Sequence, residues 1–242
     1  MRHALPTALA ALVLGGCASH TPDQLNGTWI NQGAIDTVVT TDRVVQTLDN
    51  AAVALEWKLD TADKTASYST SFERVSGQLM TDTTPWKARF EGEDQELQLS
   101  GKRLLTLDKE TGLQRFERSD DPAAASAAWG ATFEKALNRA FLGGQWRIVD
   151  GPGQGNVVRF TDDGTVSGFP ALDRYALCLG GDCADMTEGR DSLWLEHDQR
   201  GAPWILKRTG KQIELYEALN RAGPTEKPHL VAGKRRWLLE LD

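Results

Sequence analysis

Apolar and polar residues alternate in short runs along most of the chain. Leu55, Trp57 and Leu59 alternate with Glu56, Lys58 and Asp60; Trp86, Ala88 and Phe90 alternate with Lys87, Arg89 and Glu91; Leu97 and Leu99 alternate with Gln98 and Ser100. A period of two puts the apolar side chains of each run on one face. That is the mark of an antiparallel sheet with one side on a core and the other in water. Turn-forming clusters separate the runs at residues 61–64, 91–94, 100–102 and 109–112. The same pattern returns later in the chain. Val157, Val158 and Phe160 lead into Asp163-Gly164, a hairpin signal. Leu193-Trp194-Leu195, Trp204-Ile205-Leu206, Ile213-Glu214-Leu215-Tyr216 and Trp237-Leu238-Leu239 follow, with turns at 198–201 and 208–211. Short strands spaced about 8–12 residues apart predict barrels or sandwiches.

Two segments break this period. Ile35, Val38, Val39, Val45 and Leu48 fit a helical face between Trp29 and the first clear strand. Trp129, Phe133, Ala136, Leu137, Ala140 and Phe141 also share one helical face, and Gly143-Gly144 is a fitting stop. That face is read as a packing surface. Leu25-Asn26-Gly27-Thr28-Trp29 has a counterpart in Leu142-Gly143-Gly144-Gln145-Trp146, and a Pro/Ala-rich stretch lies between them. The expected organisation is a leader at 1–16, a tether at 17–23 and a β module at 24–119. A linker follows at 120–128, then a helix plus a second β module at 129–242. The expected fold class is mainly β: two tandem antiparallel barrel or sandwich modules with one or two short helices.

The first residues follow a third pattern. A basic start (Met-Arg-His) precedes an apolar run from Ala4 to Leu14 and then Gly15-Gly16-Cys17. This is the layout of a secretory signal, too short to span a bilayer. Leu14-Gly15-Gly16-Cys17 resembles the lipobox of bacterial lipoproteins. The resemblance implies that Cys17 is the lipid-attachment residue. Its thiol would receive a diacylglycerol, the leader would be cut before it, and the new amine would be acylated, as with palmitate. Ala18 and Ser19 stand where that family's retention signal would carry Asp, which implies the outer membrane of a Gram-negative bacterium, periplasmic side. Each buried CH₂ contributes ~0.8 kcal/mol, so two or more acyl chains anchor a protein stably.

Composition narrows the function classes. The chain has 242 residues and a net charge of −7, which argues against a nucleic-acid partner. The charge is uneven. Residues 17–121 carry 11 Lys/Arg and 18 Asp/Glu, while residues 122–242 carry 15 and 16. An acidic first half is repelled by anionic lipid heads, so membrane association is assigned to the lipid on Cys17. Of the three cysteines, Cys178 and Cys183 remain. Leu179-Gly180-Gly181-Asp182 between them reads as a turn, and an oxidising periplasm favours a disulfide. A zinc site needs about four ligands, and no histidine lies near them in sequence.

Gly27-x-Trp29 and Gly144-x-Trp146, each opening a β-rich module, resemble the start of lipocalin-type barrels. That resemblance implies a Trp closing one barrel end and a cavity for small apolar molecules. The second module also resembles META-domain lipoproteins in Leu142-Gly-Gly-Gln-Trp146 and Asp163-Gly164-Thr-Val-Ser-Gly168. Phe169-Pro170-Ala171 stands where that family continues with Gly-Cys-Asn.

Other candidates read as structure. Glu196-His197-Asp198 groups three ionisable residues, but neighbours on a strand point to opposite faces. Gly151–Asn156 is a Gly-rich loop without the dinucleotide spacing. The acids around Asp163 lack calcium-loop spacing. Lys234-Arg235-Arg236 reads as a solvated face, and the Asn26-Gly27-Thr28 sequon is discounted by the bacterial leader. The eight tryptophans are assigned chiefly to core packing. No catalytic residue, metal or cofactor is expected. The expected function is a non-catalytic interaction module docking an envelope protein. The alternative is a carrier of a small amphiphilic or apolar ligand in a lipocalin-like cavity.

Overall fold

A computed structural model describes residues 20–242. The leader, the lipid-attachment residue Cys17 and the tether up to residue 19 lie outside the described residues. After a short 3-10 turn at Pro22–Leu25 the first module contains β1 (Gly27–Ile30), α1 (Gln32–Thr41), α2 (Val45–Leu48) and β2 (Glu56–Asp60). It continues through β3 (Thr65–Ser69), β4 (Arg74–Met80), β5 (Trp86–Phe90), β6 (Glu93–Ser100), β7 (Arg103–Asp108) and β8 (Gly112–Arg118). Each strand pairs antiparallel with the next, and β8 returns to β1 with Trp29 opposite Arg118, so the sheet closes into a barrel.

Helix α3 (Ala131–Phe141) leads into the second module: β9 (Gly144–Asp150), β10 (Val157–Phe160), β11 (Val166–Ser167), β12 (Arg174–Leu177), α4 (Asp182–Met186), β13 (Ser192–His197), β14 (Arg200–Thr209), β15 (Gln212–Asn220) and β16 (Leu230–Leu241). These strands form an antiparallel sheet ordered β11-β10-β9-β16-β15-β14-β13-β12. Its edge strands meet through Val166 N–H donating to Asp173 O and Tyr175 N–H donating to Gly164 O, each at 2.8 Å, so this sheet also curls into a barrel. The mainly β, two-module fold is therefore present, as barrels rather than sandwiches.

One closing device appears twice. The Trp29 indole donates to Leu25 O at 2.8 Å, and the Arg118 guanidinium lies 4.7 Å from its ring centre. The Trp146 indole donates to Leu142 O at 2.8 Å, and Arg208 lies 5.8 Å from that ring and 4.7 Å from Phe141. Each Trp follows a glycine with positive φ, Gly27 at +122° and Gly144 at +125°, a conformation side chains oppose. A Cβ on Gly144 would also meet Leu241 at 2.8 Å.

The barrels differ inside. Barrel 2 is filled, and part of its filling comes from the first module. Ile35 and Val38 of α1 and Leu48 of α2 join Phe133, Leu137 and Phe141 of α3 in one core with Trp146, Phe160, Leu215 and Leu239. Barrel 1 has a separate core around Trp29, Leu79, Leu97 and Phe116. Buried carboxylates fasten the modules together. Glu56, 2% exposed, accepts from Thr132 and Phe133 N–H at 3.0 and 3.1 Å, capping α3 from another module. Asp191 accepts from Val44 and Val45 N–H at 3.1 and 2.8 Å.

Several sequence readings need correction. The apolar face from Ile35 to Leu48 is two helices, because Asp42 takes a left-handed conformation (φ 55°) and ends α1. Val39 is left exposed. Trp129 lies before α3, since left-handed Gly130 caps that helix, and it too is exposed. The described residues hold four short helices where one or two were expected. The extra ones are single turns: α2, and α4, which carries Cys183 of the disulfide and precedes β13. Among the described residues no helix is long and apolar enough to cross a membrane.

Candidate functional site

A sequential antiparallel barrel brings alternate hairpins to the same end. At one end of barrel 1 this gathers the loop before β2 and the β3–β4, β5–β6 and β7–β8 turns. They surround a cavity of about 450 Å³, within the range of small-molecule sites. The opposite end is closed by Trp29 and Leu25.

The cavity has an aromatic floor. The ring centres of Trp57, Tyr68 and Phe90 lie 5.0–5.7 Å apart, with Tyr68 and Phe90 edge-to-face. Trp57 is 2% exposed, and its indole N–H has no acceptor on the described protein. The rim is acidic: Glu73, Glu91, Glu93, Asp94 and Asp108 all line the space. Asp94 is engaged by Arg89 at 2.7 Å and Lys87 at 3.5 Å. The Arg89 hydrogen bond holds its carboxyl below the usual carboxylate range. Burial pushes Asp108 up, but hydrogen bonds from the Thr111 and Glu110 N–H groups outweigh this and keep it low. Glu73, Glu91 and Glu93 have no basic partner among the described residues. The Tyr68 hydroxyl registers their field. Burial pushes its pKa up, and Glu73, Asp108, Glu93 and Glu91 push it further.

A polar clamp holds one wall in place. Asn31 donates to Ala54 O at 2.7 Å and to Gln114 Oε1 at 3.0 Å. Gln114 in turn accepts from Ala54 N–H at 3.0 Å and donates to Ala52 O at 2.8 Å. The loop over the mouth is thus tied to β8, and through α1 to the core of barrel 2.

The residues singled out in sequence lie elsewhere. Cys178 and Cys183 form a disulfide with Cα atoms 5.9 Å apart. Its loop sits at the junction of the modules, where Gly181 N–H donates to Asp49 Oδ1 at 2.8 Å. His197 differs from the expectation that its neighbours point away. Asp198 sits in the hairpin turn rather than on the strand (φ 49°), and its carboxylate comes within 3.4 Å of Nε2. Asp173, brought in by the pairing of β12 with β13, lies 2.8 Å from Nδ1. All three side chains are exposed, His197 and Asp198 at the β13–β14 hairpin and Asp173 just before β12. Arg235 of the basic run is taken by Asp150 and Glu214 at 3.0 and 3.2 Å. Asp163 accepts from the Thr161 hydroxyl and Thr165 N–H and so organises its turn. The sequon residue Asn26 accepts from Thr61 N–H at 2.6 Å.

Three of the cavity acids, Glu91, Glu93 and Asp94, fall in a segment read as a turn, and Glu73 and Asp108 fall outside the runs and turns read from the sequence. The usable signal was topology: in a meander, every second turn shares an end.

The fold and cavity define a class, a two-barrel β protein with a cavity at the mouth of one barrel. Set against protein-family models, curated proteins and solved structures, the chain finds no match.

Proposed function

We propose that this protein is a non-catalytic binding module of the bacterial envelope, anchored by acyl chains on Cys17 to the outer membrane. Barrel 1 takes a small ligand, and barrel 2 is the solid base that holds it. The observation that carries this reading is the cavity of about 450 Å³ at the mouth of barrel 1, lined by Trp57, Tyr68 and Phe90 and an acidic rim. Among the described residues lining that space, the ionisable side chains are carboxylates and Tyr68. A second reading, docking of an envelope protein, is favoured by Leu107 and Leu113. They pair across β7 and β8 beside the mouth and are 69% and 65% exposed.

Native mass spectrometry of the protein extracted from its own membrane in a neutral detergent tests the primary reading. A small-molecule mass retained under native conditions and lost on denaturation is expected. A bare protein mass, together with cross-links from the β7–β8 hairpin to another protein, would replace it with the docking reading.

A further inference from the structure

We propose that the closed end of barrel 1 is the face this protein sets against lipid headgroups, so that the cavity mouth opens away from the membrane into the aqueous phase. The inference rests on the reading of Cys17 as the lipid-attachment residue and adds the direction in which the binding barrel faces. Local anchoring, chain length and charge each bear on it.

The point where the tether leaves the barrel is fixed. Thr21 N–H donates to Gln24 Oε1 at 3.0 Å, and His20 Nδ1 lies 3.0 Å from the same oxygen. Arg118, which lies over the Trp29 ring, donates to Gln24 O. Leu25 is wholly buried in the barrel-1 core and accepts from the Trp29 indole. His20 therefore stands at the end that Trp29 closes. Three residue steps separate it from Cys17, and they span at most about 11 Å when fully extended.

The barrel is taller than that reach. β6 runs from Glu93 at the mouth to Ser100 at the closed end. A strand of that length covers about 23 Å, or about 18 Å along the barrel axis at a tilt near 40°. A mouth pressed to the bilayer would need a tether that spans this height from the far end, and the one present is too short. Charge opposes a barrel lying on its side. The closed end is balanced, with Lys102, Arg103 and Arg118 beside Asp23, Glu117 and Asp120. The charged residues lining the mouth are all acidic. An anionic surface repels that rim more than the closed end and tips the barrel upright. Ligand or partner then reaches the mouth from water and not from within the bilayer.

The test uses the lipidated full-length protein, extracted from its membrane and added to vesicles of phosphatidylethanolamine and phosphatidylglycerol that carry a headgroup spin-labelled lipid. With Cys17 acylated and Cys178 joined to Cys183, a single added cysteine takes a fluorophore selectively. Lys102→Cys at the closed end and Glu110→Cys at the β7–β8 tip place probes on exposed positions outside the cavity lining. Quenching should be several-fold stronger at 102 than at 110. Inserting about twenty Gly/Ser residues between Ser19 and His20 adds about 25 Å of root-mean-square reach and should cut the quenching at 102 several-fold. Equal quenching with the native tether, or stronger quenching at 110, would overturn the orientation. Undiminished quenching after the insertion would overturn the tether as what holds that end to the lipid. The mass of the N-terminal peptide reads the anchor separately. Without acyl mass on Cys17 the anchor reading falls and the orientation with it, whereas acyl mass with equal quenching strikes the orientation alone.

Discussion

Glu56 shows how much one side chain does here. It lies on a barrel-1 strand, is nearly inaccessible, and accepts the first free N–H groups of α3, while Lys58 approaches its other oxygen at 3.2 Å. Removing it leaves two helix donors buried without partners. Glu56→Ala should therefore lose about 2–3 kcal/mol in urea denaturation, and Glu56→Gln, which keeps one acceptor oxygen, clearly less. A loss below about 0.5 kcal/mol for the alanine variant would mean that the helix is capped by something else. Asp191 makes a different prediction. Burial pushes its carboxyl above the ordinary range, against the pull of the Val45 and Val44 N–H groups and Arg43. The folded state then holds a proton that the unfolded chain releases earlier. Its contribution to stability is full at acid pH and is lost as pH rises through the raised folded value. Asp191→Asn keeps an acceptor for Val44 and Val45 but cannot ionise. Measured from about pH 3 to 8, its stability relative to the parent should rise with pH. A pH-independent difference would refute the burial argument.

At the scale of elements, the decisive feature is the helical insertion between β1 and β2. Its apolar stripe was legible in the sequence, because Ile35, Val38 and Leu48 fall at helical spacing. Its destination was not legible, since periodicity identifies a buried face without identifying what covers it. The same limit applied to α3: the face from Phe133 to Phe141 was readable, but the left-handed Gly130 that leaves Trp129 outside the helix was not. The disulfide loop is the third piece of this junction. Gly180 and Gly181 pass close to Ser71 and Asp49, and Val45 packs beside Cys178 and Ala184. Closing so short a loop contributes about 2 kcal/mol in the chain-entropy account. Replacing both cysteines by serine should cost about that much in urea denaturation. A near-zero cost would mean that the contacts of the loop hold it closed without the bond.

For the whole molecule, the shared core makes the two barrels one cooperative unit. Ile35, Val38 and Leu48 would leave barrel 2 if the first module unfolded. Burying aliphatic side chains of this kind contributes about 1.5–3 kcal/mol each, against about 5–15 kcal/mol for a typical domain. The intact chain should therefore unfold in one transition, with tryptophan fluorescence and far-ultraviolet circular dichroism coincident. A fragment of residues 129–242 alone should expose its core and bind a hydrophobic dye. Two separated transitions, or a fragment with native near-ultraviolet dichroism, would show the barrels to be independent. The sequence by itself determined the mainly β class, the repeated Gly-x-Trp opening, most strand positions and the Cys178–Cys183 pairing. Each is encoded locally, in a period of two, in turn residues or in a short spacing. Only the tertiary structure decided that the sheets are barrels and that one opens into a cavity at its mouth while a neighbour's helices join the core of the other. It also decided that Trp57, Tyr68 and Phe90 meet beneath Glu73, Glu91 and Glu93. Those outcomes depend on strand order and on which surfaces cover one another, contacts between distant residues that no local pattern specifies.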